Sequence, residues 1–445
     1  MKSLDYKVPE YKKIINEGGY KYFKNFIGSN ECQQFIEEKT LEGISIISNK
    51  RTSQNVRNSG LEKMHHFFSV DYLPFLQQFL KNETSEYFRK ICTNFSFQHL
   101  GLKKDFYIDN SVALRFHYPY EICKRSKLKQ NAYHKLNLKN FRQASQELKK
   151  TLSGFSENSL NEKDRLTSIY HRNLPVLARI HGPHKDTWFG HTFDAINLWY
   201  CVAGVNELSS MVMYPETFGI DFPHLKHPNY IAPGTILPKP YKVELPNKTM
   251  LAFNADILHG THINIIDSTR IVFTGRINPN KPKFYDKTSQ AEYPNWHLSS
   301  DIQKGINNNI LKFPRKKNFG KQKVLPLKIH IQDKIQVTVG KKLNQSFDIP
   351  LFEASLLDSG KKIIAKFQNK TLLFFKIKKG FKAISSKCPH LGISMEDGFH
   401  EGENIYCPGH ALKFDLSTGK SDCKSLKVKV YECYTKNKHI FIAAN

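Results

Sequence analysis

The sequence predicts a mainly β protein with added helices, built as two domains, and three observations carry this expectation. At 445 residues the chain is longer than one typical hydrophobic core. The first ~110 residues carry helical periodicity, whereas runs such as AINLWYCV and TRIVFTGRI further on read as strands between Pro- and Gly-rich turns. A second set of strands begins after KFPRKKNFGKQKV (312–324), a basic run that reads as a solvated linker. The boundary is therefore placed near residue 325, with domains at 1–324 and 325–445.

Taken in order, NECQQFIEEK offers Asn30 as a helix cap with Gln33 three residues on. DYLPFLQQFL puts Leu73, Leu76 and Leu80 on one helical face, and Pro74 is tolerable in a first turn. The short strand VALRFH follows. The basic, polar stretch from Cys123 to Arg172 contains Leu138, Phe141, Leu148 and Leu152 at helical spacing, and reads as a helical insertion over about 122–175 that could cover a site. Strands then dominate: VLARIH, AINLWYCV, SMVMY, KTMLAF and TRIVFTGRI. Beyond the basic run come KIIAKF, TLLFFKI and GFKAISS.

With 40% hydrophobic and 12% aromatic residues the chain can fill ordinary cores. Its longest apolar run, AINLWYCVAGV, is too short to span a bilayer, and the start MKSLDYKVPEYKK lacks the apolar run of a signal peptide. Cys32, Cys92, Cys123 and Cys201 are scattered without the spacing of a disulfide framework. These features predict a cytoplasmic protein with no membrane span. The net charge of +27 comes mostly from lysine spread over the whole chain. No groove-reading motif accompanies it, so nucleic acid is not the expected partner.

Near the C-terminus, CPHLGISMEDGFHEGENIYCPGH pairs Cys388 and His390 with Cys407 and His410 across 16 residues. Two thiolates and two imidazoles suit tetrahedral zinc. They also suit a [2Fe–2S] cluster with two thiolates on one iron and two imidazoles on the other, and spacing alone does not choose. The surrounding CPHLGISMEDG, CPGH and FDLSTGK resemble the Rieske ferredoxin family over about residues 347–445. The resemblance implies Cys388 and Cys407 on the inner iron, and His390 and His410 on the outer one. Ala411 stands where that family usually has Gly. Neither loop carries the extra cysteine of high-potential respiratory members. His400, between the pairs, reads as a surface histidine.

A cluster that passes single electrons needs a client. In HGPHKDTWFGH, His184 and Asp186 at i and i+2 of a strand would point the same way, while Lys185 between them would point away toward solvent. A third ligand from a later strand is supplied by His259, 73 residues beyond Asp186. Two His and one carboxylate form the facial triad of non-haem Fe(II) oxygenases. The segment from His259 through Asn264 to Arg270 resembles the end of the phytanoyl-CoA dioxygenase family; the likeness is patchy over about 110–280. It implies that Arg270 grips the far carboxylate of 2-oxoglutarate, a task suited to a guanidinium fork. Asn264 matches a family position and is a candidate cofactor contact, though it also reads as a turn residue. His262 is the main rival of His259; His181 and His191 read as supporting histidines. Arg276 shares a face with Arg270 and reads as a substrate contact. Arg115 and His117 can face the pocket or be structural, and Trp188 and Trp199 read as core.

Together these resemblances imply a double-stranded β-helix (cupin-like jelly roll) with N-terminal and inserted helices, followed by a Rieske β-domain. They imply an Fe(II)/2-oxoglutarate-dependent dioxygenase acting with O2 on a small hydrophilic or anionic metabolite. The Rieske [2Fe–2S] cluster would feed electrons to the mononuclear iron from within about 15 Å. An acidic ferredoxin or reductase is the expected donor, and a homo-oligomer is left open. The competing reading is a redox-sensing or electron-transfer protein whose oxygenase half is degenerate.

Overall fold

The computed structural model describes residues 8–110, 112–125, 181–225, 231–232, 234–285, 295–313, 319–320, 334–357 and 361–444. The expected insertion beyond residue 125, the strand VLARIH before its last residue, and the boundary near 325 lie outside these residues. Among the described residues no helix is long and apolar enough to cross a membrane.

The N-terminal half opens with helices α1 (Glu10–Glu17), α2 (Ser29–Ile47), α3 (Lys50–Ser59) and α4 (Leu73–His99), with strand β1 (Tyr20–Lys24) after α1. Pro74 lies in the first turn of α4, and Leu73, Leu76 and Leu80 are buried together as expected. Asn30 is not a cap: α2 begins at Ser29 behind Gly28, and the Asn30 amide oxygen accepts from Lys248 instead.

Strands β2 (Tyr107–Asp109) and β3 (Ala113–His117) and the short helix α5 (Tyr120–Arg125) follow. Then come β4 (Ile196–Ala203), β5 (Met211–Tyr214), β6 (Tyr241–Lys242), β7 (Thr249–Asn254), β8 (Leu258–Thr261), β9 (Arg270–Asn278), β10 (Phe284–Tyr285), β11 (Trp296–Leu298) and β12 (Phe319–Gly320). A seven-stranded antiparallel sheet runs β1-β7-β4-β9-β2-β11, with β3 also paired to β9. A second antiparallel sheet runs β6-β5-β8.

The centre of the large sheet, β4 and β7, is buried on both faces, so these strands show no polar alternation. The two-residue period still sorts the side chains. Ile196, Leu198, Tyr200 and Val202 of β4, with Ile271, Phe273 and Ile277 of β9 and Leu114 and Phe116 of β3, pack against α2 and α4. There α4 lies so close that a Cβ on Gly275 would sit 3.0 Å from the Cys92 sulfur. The intervening residues point the other way. Trp199, Cys201, Leu251, Phe253 and Val272 meet Met211 and Met213 of the small sheet in a second core. Arg115, His117, Asn197, Arg270 and Arg276 line a cavity that continues from it.

The C-terminal half is β throughout: β13 (Lys334–Thr338), β14 (Phe352–Glu353), β15 (Lys362–Lys366), β16 (Thr371–Ile377), β17 (Gly380–Ser385), β18 (His400–Glu401), β19 (Asn404–Tyr406), β20 (Lys413–Asp415), β21 (Val430–Lys436) and β22 (His439–Ile442). One sheet runs β13-β15-β16-β17-β21-β22-β14 and a smaller one β18-β19-β20. The two halves share a core, since Ile263, just beyond β8, is buried with Leu373, Ile384, Cys388 and Cys407. Polar contacts surround this seam. Lys242 reaches Asp422 at 2.8 Å, Lys239 reaches Glu401 at 2.6 Å, and the Gly234 amide donates to Asp397 at 2.7 Å.

Candidate metal centres

His184, Asp186 and His259 converge, with one donor atom from each within 4.8 Å of the others. The local backbone differs from the strand expected for H-x-D. His184 forms an isolated bridge to His259 on β8, and Asp186 opens a short 3-10 turn, Asp186–Phe189. The bridge, closed by backbone bonds of 2.8 and 2.9 Å in both directions, sets the two imidazoles side by side. Each donates Nδ1–H to a carbonyl two residues earlier, His184 to Gly182 at 2.7 Å and His259 to Ile257 at 2.9 Å. That bond assigns the tautomer and turns each Nε2 lone pair toward the shared space. Both Nε2 atoms lie 3.7 Å from Asp186 Oδ1.

The other carboxylate oxygen is held. Asp186 Oδ2 accepts from Asn197 at 2.8 Å and from Arg276 at 3.1 and 3.3 Å. Asn197 and Arg276 are directly paired across β4 and β9, so one register places both donors. Burial alone would raise the Asp186 carboxyl, but the Arg276 guanidinium and the adjoining histidines hold it well below the usual range. Burial likewise keeps His184 and His259 below the usual histidine range, hence neutral. Two neutral imidazoles and an ionised carboxylate are the protonation states a divalent cation requires. The donor set thus fits iron(II).

Arg270 lines the same cavity, its guanidinium 5.8 Å from the Trp199 ring. Its Nε and one terminal nitrogen are buried with no hydrogen-bond partner among the described residues, as is Nε of Arg115. Burial, then the nearby Arg115 charge, pushes Arg270 down to about 9. Leaving a buried guanidinium unpaired costs several kcal/mol, so this end of the cavity calls for an anion.

Other expected residues fall elsewhere. Lys185 does point away from the triad, but not to solvent: it is fully buried and paired with Asp256 at 2.9 Å, because Asp256 follows β7 into the same turn. Asn264 spends its amide on the carbonyls of His117 and Ser268, at 2.7 and 2.6 Å. It is not among the cavity's lining residues, so its contacts match the turn reading. Arg276 braces Asp186 and also lines the cavity. His262 is buried with Nδ1 on its neighbour's carbonyl and lies outside the triad. His181 lines the cavity 5.5 Å from His184, and His191 lies 3.7 Å from Asp109. Trp188 stacks on His224, while Trp199 faces the cavity. Arg115 and His117 both line it. Sequence reasoning overlooked Asn197, whose one signal was a lone amide inside AINLWYCV.

The second cluster of donors lies on two matching loops. The Cys388 amide donates to Ile393 and Gly392 closes back on Cys388; the Cys407 amide donates to Leu412 and Ala411 closes back on Cys407, all at 2.8 Å. The closing residue has positive φ in both, 71° at Gly392 and 55° at Ala411. The two thiols lie close enough to share one proton, which lowers Cys388 and raises Cys407. The His390 and His410 rings stand 5.0 Å apart. His390 Nδ1 is buried without a partner among the described residues, and burial lowers this imidazole to about 4. Two facing thiols and two neighbouring imidazoles fit a two-iron cluster, as the Rieske resemblance implied. After the second loop, Asp415 Oδ1 gathers the amides of Ser417 and Thr418 at 3.0 and 2.7 Å and closes the FDLSTG hairpin. His400 is not on the surface: it is buried 4.9 Å from the Phe375 ring.

Residues 348–432 match the family described as Rieske [2Fe-2S] domain. The ferredoxin component of the naphthalene 1,2-dioxygenase/salicylate 5-hydroxylase systems of Ralstonia sp is 30% identical over 95 residues, which are 20% of this chain and 91% of that protein. The ferredoxin component of the Pseudomonas putida naphthalene 1,2-dioxygenase system is 31% identical over 77 residues, 17% of this chain and 74% of that protein. Among solved structures, the Sphingomonas yanoikuyae B1 ferredoxin aligns with 22% of this chain and 98% of its own at 20% identity, with a TM-score of 0.20.

Proposed function

We propose, from the premise that the C-terminal domain of this chain belongs to the Rieske [2Fe-2S] family, that the chain is an Fe(II)/2-oxoglutarate-dependent dioxygenase with its own electron supply. The observation that carries the reading is the convergence of His184, Asp186 and His259 in one cavity with the unpaired guanidinium of Arg270. In this reading the two facing sheets form a double-stranded β-helix of the phytanoyl-CoA dioxygenase kind. The triad holds ferrous iron, and Arg270 holds the far carboxylate of 2-oxoglutarate. Bound there, the iron supplies oxidative decarboxylation of the oxoacid coupled to oxidation of a small hydrophilic substrate.

The chain's own residues have defined tasks. The Gly182 and Ile257 carbonyls keep the imidazole protons on Nδ1. Asn197 and Arg276 hold Asp186 ionised and aimed by one oxygen. Trp199, Phe189 and Phe253 wall the cavity with apolar surface that limits water. Arg270 and Arg115 bring positive charge that offsets the dianionic oxoacid.

The electron balance defines the role of the second domain. 2-Oxoglutarate, O2 and a C–H substrate give succinate, CO2 and an alcohol with no outside electron. An outside electron would be needed only if the iron were left ferric; Cys388, His390, Cys407 and His410 would hold a cluster able to supply electrons one at a time. A one-electron carrier such as a ferredoxin or flavin reductase then restores the cluster. The brace on Asp186 and the tautomers of both histidines favour a working site over a degenerate one.

The test is succinate release from 2-oxoglutarate by protein reconstituted anaerobically with iron and sulfide, read against total iron. About three irons per chain and 2-oxoglutarate-dependent succinate support the reading. A cluster spectrum with no third iron and no succinate sinks it.

A further inference from the structure

The C-terminal domain is seated behind the strand that carries His259. On β8 adjacent side chains face opposite ways. His259 turns to the triad, while Leu258 turns to a buried apolar cluster that it shares with Trp188, Tyr214 and Ala411. Ala411 is the residue after His410, and it comes from the other domain. Tyr214 is paired directly with Leu258.

The two matching loops differ at this point. Gly392 has nothing within 4 Å of where a Cβ would be, and its neighbour Leu391 is 64% exposed. Ala411 is 0% exposed and keeps a methyl group at φ 55°, a left-handed conformation that costs an alanine about 1 kcal/mol. The methyl sits in the contact with the other domain. His390 meets that domain at the Tyr120 ring, 5.3 Å away; the Tyr120 amide bonds to Asn264, which is not a triad residue.

We propose that the reduced cluster delivers its electron within one polypeptide, leaving by the His410–Ala411 side and reaching the mononuclear iron at His259 through Leu258. The proposal rests on the reading that His184, Asp186 and His259 hold iron. One electron leaves the mixed-valent cluster, making it all-ferric, and reduces the mononuclear iron from ferric to ferrous. An outside ferredoxin or flavin reductase replaces that electron. The Lys242–Asp422 pair, largely buried at 2.8 Å, holds the two sides in register.

The experiment uses the full chain carrying its cluster and ferric mononuclear iron, without substrate. The cluster is reduced by one electron per chain, about half a mole of the two-electron donor dithionite per mole of protein, in an anaerobic stopped flow. Its reoxidation is followed by absorbance, and the ferric signal by freeze-quench EPR. The expected rate constant is independent of protein concentration, falls several-fold in Leu258→Ala and is unchanged in Tyr120→Leu. Lys242→Glu also slows it, and the double variant Lys242→Glu/Asp422→Lys recovers it, which decides the matter if Leu258→Ala fails to fold. A rate that climbs with concentration means transfer between copies and overturns the route, as does slowing in Tyr120→Leu with Leu258→Ala unaffected. Absence of any ferric signal in cluster-loaded protein overturns the iron reading and the route with it; a ferric signal with concentration-dependent transfer overturns the route alone.

Discussion

The two candidate metal-binding regions treat their histidines in opposite ways. At the triad, Nδ1 of His184 and of His259 is tied to a carbonyl two residues back, which leaves Nε2 for the metal. At the paired loops, Nδ1 of His390 is the buried nitrogen left without a partner among the described residues. The triad is assembled from distant segments, so its geometry depends on strand register and on the braces behind each ligand. The loops are local turns closed by their own backbone, so their geometry travels with a short piece of sequence. A site of the first kind is damaged by changes in its neighbours. A site of the second kind is damaged mainly through its ligands.

The largest effect that would test this contrast is loss of one site without the other. Asp186→Ala should abolish succinate formation while the reduced cluster keeps its EPR signal. Cys407→Ser should erase that signal while the triad still takes up ferrous iron, measured by metal analysis and by the absorbance of the iron–oxoacid complex. Next is Lys185→Met, which touches no ligand yet strands Asp256 in the core. It should cost about 3–5 kcal/mol, read as a lower unfolding midpoint. Removing the exposed Lys239–Glu401 pair should cost no more than about 1 kcal/mol.

Arg270→Met should weaken 2-oxoglutarate binding by about 2–3 kcal/mol, the range for charged hydrogen bonds, as measured by calorimetry, with the cluster potential unchanged. Smallest is a change in the open loop: Gly392→Ala should cost about 1 kcal/mol at its φ of 71° and leave the EPR spectrum as it was. A cluster lost from Gly392→Ala would break the contrast, because the loop would then depend on more than its ligands.

Legibility in the sequence follows the same divide. Cys388, His390, Cys407 and His410 were readable because two pairs in two short loops announce themselves by spacing. H-x-D was half readable: the two residues are neighbours, but His259 lies 73 residues on, and its choice as third ligand was strengthened by the resemblance around Arg270. The brace on Asp186 was not readable, since it depends on Asn197 lying opposite Arg276, a pairing that strand register alone creates. Lys185 looked like a solvated lysine because its counter-charge, Asp256, lies 71 positions on. His400 was misplaced for a similar reason, since local pattern cannot show which surface a neighbouring strand will cover, whereas Asn30 stays exposed and misses the cap because α2 starts one residue before it, behind Gly28. Strands β3, β4, β7 and β9 of the large sheet were legible as strands while the short β1, β2 and β11 were not, and no pattern showed which face of the central strands meets helix and which meets cavity, because both are buried.

Ile263 belongs by position to the first half and by packing to the second. Pulling the halves apart would leave a hydrophobic socket on one fragment and its plug on the other. Each half thus covers apolar surface that the other would otherwise expose to water.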